Sequence, residues 1–186
     1  MTSTEQFSLA RAADRLEIQH RIHQFCRAVD RLDLEELHDV FHPDAHDDHG
    51  VFKGGPDGFI DWARGRHQTI EYSSHHMTNV FIEFVEDDEA FAETYFFIWQ
   101  SVTPSASLVA GSSDDDSSYE MISSGRYIDQ FTRRDGQWKI QTRTVVPGSM
   151  MRVPEGTPLA LADGFVKYTR DEQDPAQELR VQMGIK

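Results

Sequence analysis

Between Ser8 and Asp30 the apolar residues Leu9, Ala12, Leu16, Ile18, Ile22, Phe25, Cys26 and Val29 recur at helical spacing, with Arg, Asp, Glu and Gln between them. This pattern predicts one long amphipathic helix. A short second helix is predicted over Leu34 to Phe41, capped by Asp33 with Glu36 three residues on. The stretch "HPDAHDDHGVFKGGPDG" reads as turns, with one short strand near Ala45 to Phe52. A third helix, about Asp57 to His67, carries Phe59, Ile60, Trp62 and Ala63.

The period then changes. Met77 to Val85, Ala90 to Val102, Tyr119 to Arg133 and Gln137 to Val146 are rich in aromatic and β-branched residues and predict four long strands. "EDDE" joins the first two and "RRDGQ" the last two, where Asp135-Gly136 is a strong hairpin signal. Between the middle pair lies an acidic, Ser-rich connection over 103–118, expected to be mobile. After Val146 comes an irregular segment, "VPGSMMRVPEGTP", then a weakly helical stretch from about Leu159. Helices first and a meander of strands after is an α+β pattern, in which a curved sheet wrapped on helices leaves a conical pocket.

Composition narrows the function. The 186 residues suit one domain, and a net charge of -14 argues against nucleic acid or anionic membrane partners. The single cysteine, Cys26, excludes an internal disulfide and reads as a small core residue. The start has no secretory pattern and no apolar run approaches the ~18 residues of a membrane span, so a cytoplasmic protein is expected. Phosphate-binding loops, serine-nucleophile elbows and zinc-type His-Glu-x-x-His motifs are absent.

The candidates for chemistry are few. Asp30, in "CRAVDRLDLEE", either caps the turn into the next helix or orients a histidine as a buried acid. His75 and His76 stand at a strand start. Strict alternation with Val80, Ile82 and Phe84 puts His76 on the core face, unless a bulge intervenes. Arg143 falls on the strand face opposite Trp138, Ile140 and Thr142. Turned inward, it would need a carboxylate or an anionic group. The cluster His42, Asp44, His46, Asp47, Asp48 and His49 could supply a His46-x-Asp48 metal pair with His75 or His76. Any His/Asp-rich turn does the same, so no metal is expected.

Four stretches carry a resemblance: "FCRAVDRLDLEELHDVFHPDA", "DDHGVFKGGPDGFIDWA", "HHMTNVFIEF" and "GRYIDQFTRRDGQWKIQTRTV". In order and spacing they resemble the polyketide-cyclase-like (SnoaL-like) branch of the nuclear transport factor 2-like superfamily, over roughly Ala12 to Val146. The resemblance implies a cystatin-like cone of curved antiparallel sheet on helices for residues 1–147. It leaves 148–186 as an extension packed on the same domain or on a neighbouring subunit. It also implies a homodimer or higher homo-oligomer. Members include dehydratases, a dehydrochlorinase, isomerases and non-enzymatic binding domains, and the small subunits of ring-hydroxylating dioxygenases share the fold.

By that resemblance the catalytic acid partner falls at Asp30. The catalytic histidine, four residues before Asn79, falls at His75, with His76 the alternative, and a cavity arginine falls at Arg143. The bile-acid dehydratases' tyrosine is Phe25 here, which speaks against a mechanism that needs its phenol. The implied activity is a cofactor-independent dehydratase-type lyase or isomerase, with a binding-only module as the rival. Phe25, Trp62, Met77, Asn79, Tyr95, Phe97 and Trp99 are the expected pocket residues, suited to a cyclic, steroid-like or aromatic substrate.

Overall fold

The computed structural model describes residues 6–103, 106, 118–153, 162–166 and 168–185. Helix α1 spans Leu9–Arg31, with the Ser8 side chain accepting from Arg11 N at its start. Its buried face runs through Ile18, Ile22, Phe25, Cys26 and Val29. Leu9 and Leu16, expected on that face, are exposed. Burial pushes the Cys26 thiol up to about 12, in keeping with a core residue. The predicted second helix is a 3-10 turn, Leu34–Glu36, followed by the single turn α2, Leu37–Val40. Asp33 does not cap it. Its carboxylate accepts instead from Arg27 Nη1 at 3.0 Å and from Gln177 Nε2 at 3.2 Å.

The "HPDAHDD" stretch belongs to strand β1, Phe41–Asp48, rather than to a turn, and β2, Lys53–Gly54, pairs back on it. Helix α3 spans Pro56–Arg66 and leads into a 3-10 turn, His67–Thr69. Four long strands follow: β3 (Tyr72–Glu86), β4 (Glu89–Val102), β5 (Tyr119–Arg134) and β6 (Gln137–Arg152). They form one sheet in the order β2-β1-β6-β5-β4-β3, antiparallel except where β1 runs parallel to β6. Asp135 and Gly136 both take positive φ, as the hairpin signal requires. The sheet face toward α1 and α3 carries the core, including Ile82, Phe84, Phe96, Phe131, Trp138 and Ile140. The architecture is therefore α+β, with N-terminal helices on a curved sheet.

Three strand details depart from the sequence reading. Strand β3 starts at Tyr72, so both histidines lie within it, and an extra residue between Met77 and Val80 shifts its register against β4. Strand β6 carries a similar extra residue at Gln141, opposite the step from Gln130 to Phe131. It also continues past Val146, through Pro147 and Gly148, to Arg152. On β5, Gly125 pairs with Phe96, whose ring would collide with any added Cβ. Most of the connection 103–118 and the stretch from Leu159 to Leu161 lie outside the described residues. Farther on, helix α4 spans Pro175–Gln182, with the Asp174 side chain accepting from Ala176 N. No helix among the described residues is long and apolar enough to cross a membrane.

Candidate active site

The β3 bulge decides which histidine turns inward. Each strand residue reverses face, so one inserted residue reverses the phase of everything before it. Ser73, His75, Met77, Val80, Ile82 and Phe84 consequently share the inner face, while His76 points outward beside the Ser74 hydroxyl. His75 Nδ1 lies 2.6 Å from Asp30 Oδ1, and the His75 backbone N–H donates to Asp30 Oδ2 at 2.8 Å. The Ser73 hydroxyl donates to Asp30 Oδ1 at 2.7 Å. Asp30 therefore faces the strand and does not cap the turn.

Burial by itself would push the Asp30 carboxyl up. The charge of His75, its ring and backbone hydrogen bonds and the Ser73 hydroxyl outweigh that, and hold the carboxyl below the ordinary aspartate value. An acceptor on Nδ1 fixes the neutral imidazole as the Nδ1–H tautomer and leaves the Nε2 lone pair free. Among the described residues no hydrogen bond engages that nitrogen.

His75 borders a mostly apolar cavity of ≈ 240 Å³ between helices and sheet. Phe25, Phe59 and Trp62 form its aromatic wall, with Phe96, Ile98 and Val145 from the sheet. Of the expected pocket residues, Phe25 and Trp62 line it. Met77 faces inward but borders a shallower groove with His23, Arg27 and Asp30. Tyr95, Phe97 and Trp99 correct the expectation. They occupy the outer face of β4 and are exposed, because the inner positions are Thr94, Phe96, Ile98 and Gln100. Asn79 is also exposed, at the bulge.

Arg143 departs from the expected cavity role. The Gln141 bulge turns it inward with Ile140, yet its side chain is fully buried behind Phe25 and Tyr127, with the guanidinium 4.3 Å from each ring centre. There it clasps Asp129 through Nε at 2.8 Å and Nη2 at 2.7 Å. Asp47, Arg143 and Asp129 stand side by side across β1, β6 and β5.

Sequence reasoning missed four cavity residues as functional candidates: His49, Arg66, His67 and Gln100. In the sequence His49 stands out only as a possible metal ligand, and among the described residues no group of three or more His, Cys, Asp and Glu side chains is placed to hold a metal. Instead its Nδ1 makes a short hydrogen bond to the buried Asp47, while its ring packs 4.8 Å from Phe59 and 5.7 Å from Trp62. The spacing Asp47-x-His49 was the available signal. Gln100 donates from Nε2 to Ser73 Oγ at 3.1 Å, tying β4 to the Asp30 cluster.

The C-terminal segment closes the back of this cluster. Arg170 donates to the carbonyls of Val29 and Asp30 at 2.8 Å each, to that of Ile70 at 2.7 Å and to His67 Nδ1 at 2.8 Å. A cation on the last carbonyls of α1 is favourable at the negative end of the helix dipole. The Tyr168 hydroxyl donates to Ser73 O at 2.9 Å.

Known proteins share this architecture. A type 2 hexachlorocyclohexane dehydrochlorinase (LinA) is 22% identical, covering 84% of this chain and 99% of its own, with a TM-score of 0.68. The LinA-type3 dehydrochlorinase from Novosphingobium barchaimii LL02 is 20% identical, over 82% of this chain and 99% of its own, with a TM-score of 0.69. A proposed scytalone dehydratase from Novosphingobium aromaticivorans is 20% identical over 84% and 97%, with a TM-score of 0.62. No curated protein matches the sequence. Residues 10–144 match the SnoaL-like domain, and the chain belongs to that family.

Proposed function

We propose that this chain is a cofactor-independent lyase that removes a proton from carbon in a small cyclic substrate, or an isomerase where that substrate has no leaving group. The observation that carries the reading is the Asp30–His75 pair, which borders an apolar cavity and whose His75 Nε2 has no hydrogen bond among the described residues. Neutral His75 takes the proton at Nε2, and Asp30 holds the Nδ1–H and offsets the imidazolium charge. The electron pair left on carbon becomes the new double bond as the neighbouring group departs with its own pair. Where that group is hydroxyl, His49, held by Asp47 on the cavity wall, is the proton donor, and water leaves. Solvent then returns both imidazoles to their starting states.

The fold is shared with proteins named for dehydrochlorination and scytalone dehydration, both eliminations. A cavity of ~150 Å³ holds benzene, so ≈ 240 Å³ suits one or two rings better than a steroid nucleus. The exposed Phe81, Tyr95, Phe97 and Trp99 on the outer sheet face support self-association into a homodimer or larger homo-oligomer.

One observation favours the binding-only reading: Arg143 is shut in with Asp129, so the charge-stabilising role that the family resemblance gives it is not available at the cavity. Turnover decides between the two. Cyclic hydroxy acids and ketols are incubated with the protein while double-bond absorbance is followed. His75→Gln is expected to lower kcat by about 10²–10⁴-fold in protein that still folds cooperatively. Elimination that survives His75→Gln would break the proposal. Binding without turnover across the set would favour the binding module.

A further inference from the structure

The cavity wall carries a second polar cluster that the proposed proton transfer does not use. Arg66 ends α3 and His67 begins the following turn, and both line the cavity. Among the described residues no carboxylate pairs with Arg66. Its Nη2 donates to Gln100 Oε1 at 3.3 Å, its Nη1 lies 3.2 Å from His67 Nε2, and its buried Nε has no partner. A guanidinium left without a counter-charge beside an apolar cavity is costly unless an anion joins it. Burial and the nearby Arg170 lower the Arg66 pKa to about 10.

His67 sharpens the picture. Neutral imidazole has one acceptor nitrogen, yet guanidinium nitrogens stand against both of its nitrogens. The contact from Arg170 Nη2 to Nδ1 is the shorter, 2.8 Å against 3.2 Å, and on that ground we assign Nδ1 as the acceptor and Nε2 as the N–H. Burial and the charges of Arg66 and Arg170 push the His67 pKa down to about 2, so the ring stays neutral. His67 Nε2–H and Arg66 Nη1 then meet donor against donor at the cavity wall, and a shared acceptor between them removes the conflict.

We infer that Arg66 and His67 form an anion-holding end of the cavity and that the ligand is a ring carboxylate. Its carboxylate accepts from Arg66 and from His67 Nε2–H while its ring lies against Phe25, Phe59 and Trp62. Two converging donors match two carboxylate oxygens, whereas a phosphoryl group would bring more oxygens and charge than this apolar wall can pair. Gln100 links the two ends, accepting from Arg66 and donating to Ser73, which donates to Asp30. The assignment rests on the proposed active site being this cavity, and it names the substrate class.

The test is calorimetric titration with 2-naphthoate and its neutral isostere 2-naphthamide against wild type, Arg66→Met and His75→Gln. Wild type is expected to prefer the acid by about tenfold or more. Arg66→Met is expected to erase that preference while keeping the amide affinity. His75→Gln is expected to keep the preference whatever it does to turnover, so failure of the base assignment and failure of the anion site give different results. Equal affinity for acid and amide in wild type overturns the inference, as does a preference that survives Arg66→Met or the absence of saturable naphthoate binding. Should Arg66→Met not fold, the wild-type ratio decides.

Discussion

Asp30, at the end of α1, and Asp129, within strand β5, are both buried carboxylates, and each holds a basic partner on a strand, His75 of β3 and Arg143 of β6. Asp129 spends both oxygens on Arg143, whose side chain is fully enclosed and flanked by Phe25 and Tyr127. Asp30 instead holds an imidazole by one nitrogen and leaves the other facing the cavity. Burial of a charge pair is thus not by itself a sign of catalysis. The proposed function needs the pair that keeps one valence open to a ligand.

The largest way to test that contrast is to break the closed pair. Arg143→Ala or Asp129→Ala leaves an uncompensated buried charge and is expected to cost about 3–5 kcal/mol in denaturant unfolding. Replacing the two together by Met and Leu should recover most of it. If Arg143→Ala spared stability but abolished turnover, Arg143 would belong with the open pair.

Next comes pH. His67 is held down to about 2 in the folded chain against an ordinary 6.5, so below pH 6.5 the unfolded chain takes up a proton that the folded chain refuses. Stability is therefore expected to fall as the pH drops from 6.5, by about 2–3 kcal/mol on reaching pH 4.5. The lowered Asp30 carboxyl loses stability in the same direction, but only further into acid, below its ordinary 3.8. His67→Gln keeps an acceptor for Arg170 and should flatten the upper part of that slope in urea titrations at stepped pH. An unchanged slope would mean that His67 is not the group responsible.

The smallest effect sharpens the comparison at its closest point. His76→Ala, one residue from the proposed base, should change stability by no more than about 0.5 kcal/mol and leave turnover intact. Loss of turnover would assign the chemistry to the outer face of β3.

Much of the fold was legible. The helical period of α1, the Asp135-Gly136 turn and the aromatic, β-branched strands are local signals, and each element forms, although β3 begins earlier, at Tyr72, and β6 runs on to Arg152. The side-chain placements were legible only as far as the alternation held. One inserted residue between Met77 and Val80 turns His75 inward, and another at Gln141 turns Arg143 inward. Periodicity assumed unbroken strands, so it mis-assigned both, and it could not tell the inner from the outer face for Tyr95, Phe97 and Trp99.

The class of fold, the order of its elements and the family can be read from the amino-acid order alone, because these follow from short-range periodicity and from motifs kept in order. Tertiary structure decided which histidine meets Asp30, that Arg143 is enclosed, and that Arg66 and His67 share the cavity with His75. Those outcomes depend on strand register and on contacts as distant in sequence as Arg170 to Val29, Asp30 and His67. No local pattern encodes them, because each is a competition among whole-sheet pairings that only the packed core resolves.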